Sequence, residues 1–184
     1  MQSFVSGSTV QAAGDLSQMA VSNNAVKAGV FAGSVAVSGG TVGIGAAGAG
    51  VDAQNKITTL VKSFVDGAGS TVGIEAANVA LSARDTSAID AVAGAVAIGA
   101  AFGGVAAALS IGVGLARNEI GTDVAAYLQD IDNSIKTAGN IGLKAISKNS
   151  IESTAAAAAV AAAISGSTAV ALGGAGADAT NIIL

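Results

Sequence analysis

The sequence contains no histidine, cysteine, tryptophan or proline, and it has a single tyrosine. Histidine is the commonest general acid or base and the commonest metal ligand, so both chemistries lose their usual residue. Without cysteine, disulfides, thiol catalysis and cysteine-based zinc sites are impossible. We therefore expect that the chain is not an enzyme and that it uses no cofactor and no small-molecule substrate.

Charged residues are also scarce, with 8 Lys and Arg against 12 Asp and Glu. Nucleic-acid binding requires a basic surface and, for single strands, aromatic side chains on which bases stack. The sequence offers neither, so we predict no nucleic-acid partner. The first residues, 1–7, also lack the basic and apolar regions of a signal peptide, so an export signal would lie elsewhere or be non-classical.

What the sequence does contain is a repeat. Three uncharged, Ala/Gly/Val-rich segments lie at 28–51, 91–116 and 153–177, about 63 residues apart. The tetrapeptide DAQN at 52–55 returns as DATN at 178–181. We expect one repetitive domain over residues 1–184 with approximate units 1–57, 58–120 and 121–184. Because the first and last copies are cut at different phases, we expect a segment of, or a protomer in, a longer array.

The central uncharged segment alternates between large and small side chains. Large side chains recur at every second position, with Gly94 between the first two, while alanines hold the other face at 91, 93, 95 and 97. The large residues are Val92, Val96, Ile98, Leu109, Ile111 and Val113. A period of two is typical of a β-strand. Strands with apolar residues on both faces are buried on both faces, so we predict that the Val/Ile side forms the core and that Ala/Gly faces permit closer sheet stacking.

Glycine clusters at 38–40, 103–104 and 165–167 divide each segment where a corner would turn. The predicted fold class is therefore all-β, either a repetitive β-solenoid or stacked β-hairpins. Polar linkers should form exposed corners, including Asp130, Asp132 and Lys148. Such a chain should associate with further copies of itself, because open strand edges template further pairing.

A membrane protein is the alternative. The segments 28–51, 91–116 and 153–177 are long enough to span a bilayer as helices, and the alanine run 155–163 favours a helix by propensity. The alternation, the dense glycine and the lack of an aromatic belt favour strands instead. A membrane-inserting or pore-forming protein that uses these three segments remains the second functional hypothesis.

Two glycine-rich motifs suggest ligand sites. Residues 173–181 approach the calcium nonapeptide, which makes Asp178, and Asp52 in the weaker copy, candidates for calcium. Tandem copies are needed for that chemistry, so a glycine-rich corner explains the motif better. Residues 43–48 match the dinucleotide pattern GxGxxG, but no helical period follows them. We predict no catalytic, cofactor or metal site.

Other carboxylates form weaker groups. Asp123, Asp130 and Asp132 could hold a divalent cation, although a solvated loop explains them more simply. Glu75 with Asp85 and Asp90 could pair for the hydrolysis of a sugar linkage. Nothing in the sequence fixes the separation that such chemistry needs, so we predict no activity from them.

The segments 79–89, 91–99 and 110–113 resemble the repeats of very large bacterial surface proteins, the leukotoxin-like filamentous adhesins and haemagglutinin-type exoproteins. The resemblance implies a secreted, extracellular location at the bacterial cell surface and a β-helical rod. It also implies an adhesive or scaffolding role, in contact with a host or neighbouring-cell surface. It brings no catalytic residues.

Overall fold

A computed structural model describes residues 1–67, 73–131, 135–137 and 139–184. All regular secondary structure in these ranges is β-strand, which confirms the all-β prediction. The strands are β1 (Gln2–Ser6), β2 (Val10–Gln11), β3 (Leu16–Asp66), β4 (Ile74–Ala76), β5 (Val79–Gln129), β6 (Lys136–Thr137) and β7 (Ile141–Ile183).

The strands form two parallel sheets. The larger one has the order β1-β3-β5-β7, and the smaller one has the order β2-β4-β6. Leu16 pairs with Val79 at the start of β3 and β5, and the register continues to Asp66 opposite Gln129. β7 pairs with β5 in the same direction, from Ile141 to Ile183. We refer to β3, β5 and β7 as the three levels of the molecule.

Each level doubles back on itself near its middle. A Cβ atom added to Gly99 would lie 2.6 Å from the carbonyl oxygen of Leu109, although both residues belong to β5. Ten residues of straight strand would separate them by about 33 Å. The reversal lies at the predicted glycine clusters, where Gly40 has φ of 149° and the β5–β7 register shifts between Gly103 and Val105. We call this bend the tip.

The core lies between the two halves of each level, and it is built from alanine. Ala91, Ala93, Ala95 and Ala97 are buried, together with Ala101, Ala106, Ala108 and Ala116. The prediction that the Val/Ile side forms this core is wrong. Val92 is half-buried, and the other five residues point outward and are exposed, namely Val96, Ile98, Leu109, Ile111 and Val113.

The narrow gap between the halves explains this inversion. Cβ atoms added to Gly112 and Gly114 would each lie 2.6 Å from the backbone oxygens of Ala158 and Ala156. In this part of β5, backbones this close leave room inside for hydrogen, methyl or hydroxymethyl side chains, so the larger residues of its alternation face outward. Near the small sheet the core widens to larger residues, including Val65, Ile74 and Leu81.

The membrane-helix alternative is wrong in its secondary structure. Residues 28–51, 91–116 and 153–177 all lie in strands, and so does the alanine run 155–163. Within the described ranges, no helix is long and apolar enough to cross a membrane. Tertiary pairing with β5 overrides the helix propensity of the alanines, because every residue of the run has a parallel partner there.

The predictions of exposed residues are confirmed in part. Asp130 and Lys148 are exposed as predicted, while Asp132 lies outside the described residues. Lys148 is not at a corner, however, but within β7, in the half that precedes the tip. Its neighbour Asn149 points inward, because successive side chains of a strand face opposite sides.

Candidate functional site

The two calcium candidates, Asp52 and Asp178, are exposed and lie in different levels. Gln54 donates a hydrogen bond of 2.7 Å to Asp52, and Thr180 donates one of 3.1 Å to Asp178. Leu115 pairs with both aspartates and therefore stands between them. A calcium ion shared by successive turns needs oxygen ligands from neighbouring levels, and this column supplies an apolar side chain instead.

The remaining acidic candidates are dispersed. Asp123 forms an ion pair of 3.2 Å with Lys62, and Gln129 donates a hydrogen bond to Asp130. Asp90 points outward from β5, whereas Asp85 points inward and is fully buried. Glu75 lies exposed in the small sheet. Over the ranges that the structure describes, no three acidic side chains are grouped as metal ligands would be.

The GxGxxG match at 43–48 lies inside β3. Gly43 and Gly45 face the backbone of Phe102 and Ala100, so these glycines allow the two layers to approach each other. A dinucleotide site needs a loop that opens a helix. The described part of the chain has strand at this place and strand after it.

Side chains of equivalent positions stack into ladders that connect the levels. Asn55 donates a hydrogen bond of 2.8 Å to Asn118, and Asn118 donates one of 3.0 Å to Asn181. The rings of Phe4, Phe64 and Tyr127 stack with centroids 5.2 and 4.9 Å apart. Ladders of this kind hold parallel strands in register, since a shift by one residue would break every contact in them.

Ion pairs add to the contact between the first two levels. Lys56 lies 2.9 Å from Glu119, and Lys27 lies 3.9 Å from Asp90. These side chains are largely exposed, so each pair adds little to the free energy of unfolding. They contribute instead to the choice of strand register, because opposite charges meet in this register and not in a shifted one.

Among the described residues, the larger sheet has two long edges without a pairing strand. β7 pairs only with β5 in the described residues, and β1 covers β3 only from Lys62 to Asp66. The outer faces near the tip are also apolar, with exposed valine, isoleucine and phenylalanine on all three levels. Their most exposed members are Phe31, Val35, Val37, Val42, Ile44, Ile164 and Leu172.

A polar layer lies in the interior between the tip and the small sheet, and the sequence reasoning missed it. Asn24 donates hydrogen bonds to Ser22 and Thr59, at 2.9 and 3.0 Å. Asn149 donates to Thr122 and Ser147, at 2.9 and 3.0 Å. The layer comprises Ser22, Asn24 and Thr59, then Asp85, Ser87 and Thr122, then Ser147 and Asn149.

A signal for this layer is present in the sequence. The polar pairs SxN at 22–24, DxS at 85–87 and SxN at 147–149 occupy one phase of the repeat. Each pair also occupies the inward-facing positions of its strand. In β5, for example, Asp85 and Ser87 lie between the buried apolar residues Ala83 and Ile89 at every second position. In-phase polar residues on an inward face indicate an internal polar layer rather than a solvated corner.

Comparison with known proteins adds no relative: no family model matches the chain, and neither the curated proteins nor the solved structures contain a significant match.

Proposed function

We propose that this chain is a structural and adhesive extracellular protein, a β-solenoid segment with a repeat of about 63 residues. The observation that carries the proposal is the parallel register of the three levels. Leu16, Val79 and Ile141 occupy one column, and the register continues along almost the whole length of each level. Levels of this kind stack into a rod whose length grows with the number of repeats.

A β-solenoid accounts for the pairing better than stacked hairpins do. Hairpin strands pair antiparallel within one unit, whereas these long strands pair in parallel with the strand of the next unit. The unit boundaries also stack, because Ile57 pairs with Ile120 and Ile120 pairs with Ile183. This column favours unit boundaries close to Ile57, Ile120 and Ile183, in agreement with the approximate units 1–57, 58–120 and 121–184.

The open edges support self-association into a filament or array. Unpaired N–H and C=O groups along an edge strand pair readily with another strand, and β7 presents such an edge over its full 43 residues. The extracellular, cell-surface location and contact with a host or neighbouring-cell surface rest on the resemblance to filamentous adhesins.

Electron microscopy of the purified chain tests this proposal. We expect rods or filaments, together with sedimentation coefficients that increase with protein concentration. Circular dichroism should show a strand spectrum in buffer. Compact particles of constant size at every concentration would contradict the filament proposal.

Membrane insertion is the second candidate, and the exposed apolar side chains near the tip favour it. Ile44 and Phe31 are more than two-thirds exposed, and both lie in the uncharged segment 28–51. The open edges argue against it, since backbone groups in hydrocarbon must all be paired. Release of a dye from lipid vesicles would support insertion, and a chain that neither binds vesicles nor releases dye would exclude it.

A further inference from the structure

We infer that Asp85 and the polar layer around it form a binding site for a monovalent alkali cation, Na⁺ or K⁺. This inference goes beyond the rod proposal and does not depend on it. It concerns the interior of the middle level, where the carboxylate of Asp85 is buried next to polar residues of all three levels.

Asp85 is a carboxylate without a balancing charge. It is 0% exposed, and its Oδ2 accepts a hydrogen bond of 2.9 Å from Ser87. Its second oxygen, Oδ1, is buried and has no hydrogen-bond partner. None of the ion pairs found in the described residues includes it. The adjacent Arg84 is exposed on the opposite face of the strand. Buried charges in proteins are normally paired or bound to a metal ion.

The neighbours of Asp85 carry hydroxyl and amide oxygen atoms, which can act as ligands of a cation. Ser22 pairs with Asp85 on one side and the more exposed Ser147 on the other, so both neighbouring levels carry a serine in this column. Asn149 lies on the next level, diagonally opposite Asp85, since it pairs with Ser87. Its amide nitrogen donates two hydrogen bonds, one to Thr122 and one to Ser147. Its oxygen Oδ1 is buried without a donor. Two buried acceptors without donors therefore share this layer.

An alkali cation satisfies both acceptors at once. Hard cations take carboxylate, amide and hydroxyl oxygens as ligands. The layer contains one carboxylate, so a single positive charge neutralises it, whereas a divalent ion would leave one positive charge uncompensated in the interior. The other two levels carry serine at the position of Asp85, Ser22 and Ser147. We therefore place one cation per three levels, at the middle one.

Thermal unfolding of the full chain in chloride salts of equal ionic strength tests the inference. Sodium or potassium chloride should raise the unfolding midpoint by several degrees above its value in choline chloride, because a ligand that binds the folded state stabilises it. An equal midpoint in all three salts would overturn the proposal.

Two variants and one control assign the effect to the site. Asp85→Ser copies the residue of the neighbouring levels, and Asp85→Asn keeps the shape of the side chain, so both should lose the difference between sodium and choline. Asp90→Asn removes an exposed carboxylate of the same strand and should retain it. Persistence of the salt difference in both Asp85 variants would refute the site.

Crystals soaked in thallium(I) provide a readout that needs no variant. Thallium replaces potassium at such sites and scatters X-rays strongly. We expect an anomalous peak within bonding distance of Asp85 Oδ1 and Asn149 Oδ1. A structure with water at that position and no anomalous peak would refute the inference.

Discussion

Single glycines decide how closely the two layers of each level approach. Gly99 is an inward-facing residue whose missing side chain leaves space for the backbone oxygen of Leu109. Gly33 also lies in an extended strand, but a Cβ atom added there would meet nothing within 4 Å. The pair provides a matched test of whether glycine is required for packing or only tolerated.

We expect Gly99→Ala to lower the free energy of unfolding by about 1–3 kcal/mol, because the added methyl group forces the layers apart. Gly33→Ala should be neutral or should stabilise the fold by up to about 1 kcal/mol, since alanine restricts the unfolded chain. Urea denaturation followed by circular dichroism measures both. Equal effects of the two substitutions would show that the close approach at Gly99 is not a constraint.

The asparagine ladder gives a second prediction at the level of residues. Asn118 is buried and hydrogen-bonded to both neighbouring levels, whereas Asn181 lies at the exposed end of the ladder. Asn118→Ala should cost about 1–3 kcal/mol of unfolding free energy, because it leaves Asn55 and Asn181 without their amide partner. Asn181→Ala should cost less in the same urea titration. A larger loss at Asn181 would contradict the ladder as the cause.

At the scale of the elements, the strands and the tips could be predicted from the sequence, but the buried face could not. The alternation shows that Ala95 and Val96 face opposite sides of the strand. It does not show which of the two sides is buried, because the period is two in either case. The choice depends on the gap between layers, which is a tertiary quantity. Size and hydrophobicity favoured burying Val96, but the backbone approach at Gly112 and Gly114 leaves no space for it.

The polar layer was missed for a related reason. Asp85 and Asn149 belong to stretches rich in polar residues, and such stretches are normally solvated. Their inward direction follows only from their phase relative to buried neighbours such as Ile89. A carboxylate in an interior is rare enough that hydropathy alone would not predict it.

The short strand β1 depends on the aromatic ladder. It pairs with β3 through five residues, and Phe4 stacks on Phe64 with an interplanar angle of 9°. Phe64→Ala removes this stack and the stack of Phe64 on Tyr127. Each aromatic pair stabilises the fold by about 0.5–1.5 kcal/mol. We expect faster amide hydrogen exchange in Gln2–Ser6.

Phe31→Ala is the matched control for this prediction, because Phe31 is 74% exposed and lies in the outer face of β3. It should leave the exchange of Gln2–Ser6 unchanged. If both variants exchange alike, the aromatic ladder does not hold β1.

At the scale of the whole molecule, growth and lateral contact use different surfaces. The backbone edge of β7 permits further levels to add, while the apolar outer faces permit sheets to pack side by side. Exposed apolar patches of this extent are typical of interaction sites. Charges on the outer face of the edge strand should weaken both contacts, because edge lysines discourage strand addition.

We therefore expect the double variant A158K/A162K to sediment as a smaller species than the parent chain at the same concentration, by at least a factor of two in mass. Both alanines are exposed on β7. The control S8K/Q11K adds the same charge at exposed positions near the small sheet and should assemble like the parent. Unchanged assembly of A158K/A162K would exclude β7 as the growing edge.

The register shift at the tip has a consequence for how such a chain can change in length. The connection from β5 to β7 is one residue shorter than that from β3 to β5. At the tip of β7, one extra residue lies between the partners of Gly103 and Val105. The deletion and the insertion cancel, so beyond the tip β7 returns to the 63-residue offset that also separates β3 from β5. Insertions and deletions are thus tolerated at the bends, whereas one added residue within a strand would turn the following side chains inside out. Peptide tags for labelling this chain therefore belong at the bends, beside Gly104 or Gly166.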